Sequence, residues 1–158
     1  MGQRTEETEK EKGHRQLMEL LQELRVAVVG VQVLFAFLLT VPFTQGWARV
    51  TDFQQDIYFV ALLCSAAATA CLIAPSAIHR LDFEQGDKPV IVRLSNKLLI
   101  AGLGFLSIAI VAVVLLITDF IYSASAAVAY TVVVAVMFVA LWYVIPLFLR
   151  LRGDDDAA

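Results

Sequence analysis

Two aspartates, Asp52 and Asp56, stand four residues apart, so on a helix their carboxylates share one face a turn apart. Were several copies gathered about an axis, this pair would form an acidic outer mouth able to concentrate cations. A second constellation runs along an apolar stretch: Gln22, Arg25, Gln32 and Thr40, with Phe43, fall within an arc of about 80° at 100° per residue. Asn96, Ser107 and Thr118 recur every eleven residues, about three helical turns, and make a comparable polar seam further along the chain. A third constellation, Glu23, His79, Arg80, Arg93 and Lys97, gathers at the ends of apolar runs. There His79, with Arg80 and Arg93, supplies the positive charge and the proton-transfer group that chemistry on a lipid headgroup would use.

Each constellation also has a plainer reading. Gln32 and Thr40 would hydrogen-bond a neighbouring helix, and Ser and Thr hydroxyls satisfy themselves on the carbonyls of their own preceding turn. Charges at the ends of spans anchor in headgroups. Cys64 and Cys71 lie two turns apart on one helical face, too far to bridge, and have no His or acid at ligand spacing, so they read as small buried side chains. No Asp, Glu, Lys, Arg or His lies near the centre of any apolar run, where proton-coupled pumps usually need one. His14 and His79 are not placed to share a haem, and no phosphate loop, dinucleotide fingerprint or base-activated nucleophile is present. The sequence thus predicts no catalytic residue, no cofactor and no metal site, and a protein that is not an enzyme.

The elements that must carry these residues are set by the solvent. Of the 158 residues 59% are apolar and 17% charged, against roughly 45 to 50% and about 25% in soluble proteins. Four uncharged apolar runs, 26–43, 57–78, 98–117 and 126–149, each approach or exceed the ~20 residues that a helix needs to cross a bilayer. Backbone amides in lipid must be paired within the segment, so the runs are helices. Short loops make consecutive spans antiparallel neighbours, and the expected fold is all-α: a four-helix up-down-up-down bundle. Pro42, Pro75 and Pro146 fall near span ends, which predicts no centrally broken helix. A turn is expected between Leu81 and Val92, with Pro89 blocking helix continuation, and a tight hairpin over 118–125. On span two, Ala66, Ala67, Ala68, Ala70 and Ala74, with Ser65 and Thr69, form a small-residue face for which Gly102 and Gly104 are natural partners.

Ahead of the first span, Leu17, Leu20, Leu21 and Leu24 repeat at helical spacing, so 15–25 is predicted as an amphipathic juxtamembrane helix. Residues 1–14 and 150–158 read as disordered tails, and the charged start lacks a small-residue cleavage site and is no secretory signal. Eleven of the 12 Lys and Arg fall on one side of the predicted spans, and only Arg49 on the other. This asymmetry places both termini in the cytoplasm of a cell-membrane protein. Phe43, Trp47, Phe53, Tyr58, Phe120 and Tyr122 cluster at the opposite boundary, where amphipathic rings settle. With a net charge of −3 and no long basic patch, the lipid bilayer is the expected partner and nucleic acid is not.

The stretches Glu23-Leu24-Arg25-Val26, Gly30 through Phe43, Thr51-Asp52-Phe53-Gln54 and Ile73 through Arg80 resemble a family of small four-helix integral membrane proteins from high-GC Gram-positive bacteria. The resemblance spans about residues 20 to 120. It implies a bacterial membrane protein of unknown function and brings no catalytic residues with it. Three functions follow from the residues: an accessory or scaffold subunit docking another membrane protein, a homo-oligomeric channel or passive transporter lined by the first helix, and an enzyme on lipid headgroups. The first accounts best for the lack of central charge.

Overall fold

A computed structural model of the chain describes residues 28–81, 88–145 and 148, with side chains throughout except at 79–81 and 88–92. The predicted tails, the juxtamembrane helix at 15–25 and the start of the first span lie outside these residues. All regular structure among the described residues is helical, as expected. Helix α1 covers 28–40 and tightens into 3-10 turns at Val41–Phe43 and Gln45–Arg49. Then follow α2 (Asp52–Leu81), α3 (Lys88–Ile121) and α4 (Ala124–Val139), the last running into a π-helical turn at Ala140–Val144.

Three of these helices are long and apolar enough to cross a membrane, and Val28–Phe43 is a shorter apolar helix. The chain therefore has the make-up of an integral membrane protein. At 1.5 Å per residue the 30 residues of α2 and 34 of α3 exceed a hydrocarbon core of about 30 Å, so their ends reach the headgroups or the helices tilt.

Local chemistry explains where the helices depart from the sequence expectations. Pro42 has no amide to give the preceding turn, and the chain responds by tightening, with Thr44 donating both its N–H (3.1 Å) and its hydroxyl (2.8 Å) to the Val41 carbonyl. Pro89 does not stop a helix; it sits in the first turn of α3, where an amide would go unused in any case. Pro75 lies inside α2, buried, with six further helical residues beyond it. The hairpin before α4 is shorter than expected, two residues, because α3 stays helical through Ile121. In the π-turn the Ile145 N–H reaches the Ala140 carbonyl. A proline at 146 crowds the carbonyl four residues back, and a widened turn just before it is the usual accommodation.

The described chain divides into two compact units. In the first, comprising 28–39, 65–81 and 88–106 of the described residues, Val31 of α1 packs with Ala68 and Leu72 of α2, flanked by Val28, Leu99 and Leu106. Gly102 makes this approach possible: a Cβ there would lie 2.9 Å from Leu72 Cγ and Cδ2 and 3.2 Å from Cys71 Cβ. In the second, comprising 40–64 and 107–145, Tyr58 is buried and meets Trp47 edge-on at 4.9 Å, while Tyr122 and Tyr130 stand 5.9 Å apart.

The buried side of α2 runs through Gln54, Tyr58, Ala61, Ser65, Ala68, Leu72 and Pro75, in alternating steps of four and three residues, with Ile57 buried beside it. That 3.5-residue repeat keeps one seam facing a packed neighbour along the helix. Of the alanines singled out in the sequence only Ala68 is buried; Ala70 is exposed, and Ala66, Ala67 and Ala74 are half-buried. On α3 the same repeat is carried by Ser95, Gly102 and Ala109, seven residues apart. Ser95 is buried, yet its hydroxyl finds no partner among the described residues. An orphan hydroxyl costs its desolvation, so Ser95→Ala should raise stability by about 1 kcal/mol in a graded SDS unfolding titration. A loss of that size would show the hydroxyl to be bonded after all.

Candidate functional site

The polar cluster at the start of α2 begins as a helix cap. Thr51 precedes α2, its hydroxyl accepts from the Gln54 N–H (3.3 Å), and the Gln54 side-chain carbonyl accepts from the Thr51 N–H (3.1 Å). This reciprocal box satisfies two amides that a helix start leaves free. It also explains why α2 starts at Asp52, five residues before the uncharged run begins. The rest of the Gln54 amide is used elsewhere in the same unit: its Nε2 donates to Asp119 Oδ2 at 2.8 Å.

Asp119 is a carboxylate near the C-terminal end of α3, where its own helix dipole disfavours it. A neighbouring helix start, presented through Gln54, supplies the compensating positive end. Gln54 is 6% exposed and Asp119 half-buried, so the bond is shielded from water and stronger than a surface contact. One amide thus caps α2 and clasps it to α3.

On α1 the polar residues lie on the other side from the packing. Val31 and Leu38, seven residues apart, are buried, whereas Val29, Gln32, Val33 and Ala36 are exposed. At 100° per residue Gln32 and Ala36 lie about 40° apart, Ala36 near the middle of the outward arc and Gln32 toward its edge beside Leu39. The Gln32 amide has no hydrogen-bond partner among the described residues.

Residues 6–146 match a family of unknown function, DUF6328. The chain belongs to this family. Neither a curated protein nor a solved structure matches it. The DUF6328 match runs beyond the 20 to 120 stretch on which the resemblance rested, and takes in α4 and its π-turn.

The other sequence candidates in this DUF6328 protein are placed as follows. Asp52 and Asp56 are both exposed in the first two turns of α2, where acids favour the positive end of the helix dipole. No group of three His, Cys, Asp or Glu side chains among the described residues could hold a metal. The α3 seam does not keep to one environment: Asn96 is exposed, Ser107 buried, and Thr118 half-buried with its hydroxyl donated to the Val114 carbonyl at 2.6 Å. Thr40 is exposed at the end of α1. Arg93 and Lys97 are exposed one turn apart near the start of α3. His79 and Arg80 lie in the last turn of α2, their side chains outside the described residues, as are Gln22, Glu23 and Arg25 entirely. Cys64 and Cys71 are free and half-buried.

Sequence reasoning missed the clasp. Asp119 was hidden in a stretch read as hairpin, and Gln54 carried no charge to draw notice. The available signal was the pattern Thr-x-x-Gln directly before an apolar run, which marks a capping box.

Proposed function

We propose that the protein is a non-enzymatic subunit of a membrane assembly that docks through the outward face of α1. Gln32 carries this reading: a primary amide within an apolar helix, turned away from the chain's own packing. It lies about 4 Å from the midpoint of the 26–43 run, far from either headgroup layer of a core about 30 Å thick. Hydrocarbon offers nothing for the amide to bond, so a second protein surface there is favoured. Ala36, one turn on, allows that surface close approach.

Four crossings of a bacterial cell membrane with both termini cytoplasmic complete the proposal, supported by the distribution of Lys and Arg. With Cys64 and Cys71 replaced by alanine, a thiol at position 46 should react with a membrane-impermeant maleimide in intact cells, and one at position 156 only after lysis. Reaction of both, or of neither, before lysis overturns the orientation. The assembly itself is tested by the mass of the complex extracted from native membranes under mild conditions; a chain that is extracted alone, with neither a second copy nor another protein, refutes it.

The exposed pair Asp52 and Asp56 favours a second reading, a passive cation path around an axis shared by several copies. That path requires flux in reconstituted liposomes and a clear drop in the Asp52→Asn, Asp56→Asn double variant. Unchanged or absent flux removes it.

A further inference from the structure

We infer that the occupant of the α1 face is a second copy of this chain, paired in parallel so that Gln32 bonds the partner's Gln32; this rests on the assembly reading above. Copies of one sequence insert with one sidedness, so two copies side by side hold every residue at matching depth. A twofold axis along the membrane normal, running past the Gln32 and Ala36 arc, therefore brings the two amides opposite each other without further adjustment. A primary amide is also its own complement, since its N–H donates to a carbonyl and its carbonyl accepts an N–H. A different protein would need a polar group at that same depth.

The surroundings suit the same arrangement. Val29 and Leu39, exposed at 57% and 47%, lie with Ala36 within about 60° of Gln32 around the helix and give an apolar surface beside the amide. Small and β-branched residues let two helix backbones come close and lose little side-chain freedom on contact. On α4 only 6% of the apolar window is buried, but its exposed face from Val128 to Val139 carries only apolar side chains and the ring of Tyr130. That composition suits lipid tails, and α4 is the natural control.

The test uses the full chain in liposomes, on the Cys64→Ala, Cys71→Ala background. Under a mild oxidant, Ala36→Cys should cross-link into a species of twice the chain mass, and Val133→Cys on α4 should not. Energy transfer between donor- and acceptor-labelled copies, followed on lipid dilution, should show Gln32→Leu raising the dissociation constant about tenfold. Gln32→Asn, which keeps an amide, should restore part of the affinity. Equal cross-linking at 36 and 133, or a dissociation constant that Gln32→Leu leaves unchanged, overturns the paired amides. Linkage of position 36 in native membranes to a different polypeptide overturns the second copy while leaving the assembly reading standing. Linkage to no polypeptide at all ends both.

Discussion

Gln54→Leu is expected to cost the fold about 2 to 4 kcal/mol, from a charge-assisted hydrogen bond and a helix cap lost together. Leucine keeps the volume, so the change removes bonds and not packing. Two contacts go: the Thr51 N–H loses its acceptor and Asp119 loses the donor at 2.8 Å, while the Thr51 hydroxyl still accepts from the backbone N–H of residue 54. The larger part falls on Asp119, whose carboxylate is left half-buried at the unfavourable end of its own helix. Thr51→Ala removes only one side of the box and should cost about 1 kcal/mol. Unfolding in mixed micelles of graded SDS content reads all of these. A cycle of Gln54→Leu with Asp119→Ala should be non-additive by more than the ~0.5 kcal/mol that independent sites show. Simple addition would mean that the bond between the two helices contributes nothing.

Gly102→Ala should destabilise by about 1 to 3 kcal/mol, although alanine favours helices over glycine. The added Cβ would stand 2.9 Å from Leu72 Cγ and Cδ2, and Leu72 is itself fully buried against Val31 and Ala68. The branch carbon of a packed leucine has little room to retreat, and Cys71 Cβ at 3.2 Å closes the other side. Leu72→Ala alone leaves a cavity and should cost about 2 to 4 kcal/mol. The two together should cost less than their sum, because each relieves the other's defect. Gly30 is the matched control: a Cβ there meets nothing within 4 Å, so Gly30→Ala should leave the stability of the isolated chain unchanged or higher. A Gly102→Ala variant as stable as the parent would show that α2 and α3 do not approach at this point.

How much of this was legible beforehand differs from element to element. The helices at 57–78 and 98–117 were readable because exclusion of water leaves a long apolar run one backbone solution. Their true ends, Asp52 and Lys88, were not, because a cap and an N-terminal proline work through single hydrogen bonds and steric fits that hydropathy averages away. The buried faces were misread for a deeper reason. In lipid the outside is as apolar as the inside, so Ala70 and Ala68 look alike in sequence, yet only Ala68 is buried. The interior seam of α2 is instead polar or small at four of its positions, Gln54, Ala61, Ser65 and Ala68.

The candidate site divides in the same way. The polar character of Gln32 and the acids at 52 and 56 were plain from the sequence, and so was the absence of central charge. Which way Gln32 faces, and that Asp119 answers Gln54 across 65 positions of chain, depend on how helices rotate about their axes when they pack. The sequence alone determined the solvent this chain requires, its helical class and the order of its apolar helices, because transfer of uncharged segments into hydrocarbon depends on composition and length. Only the tertiary structure decided which side of each helix is inside and which polar groups meet, because in a uniformly apolar medium that choice rests on close packing and hydrogen-bond geometry.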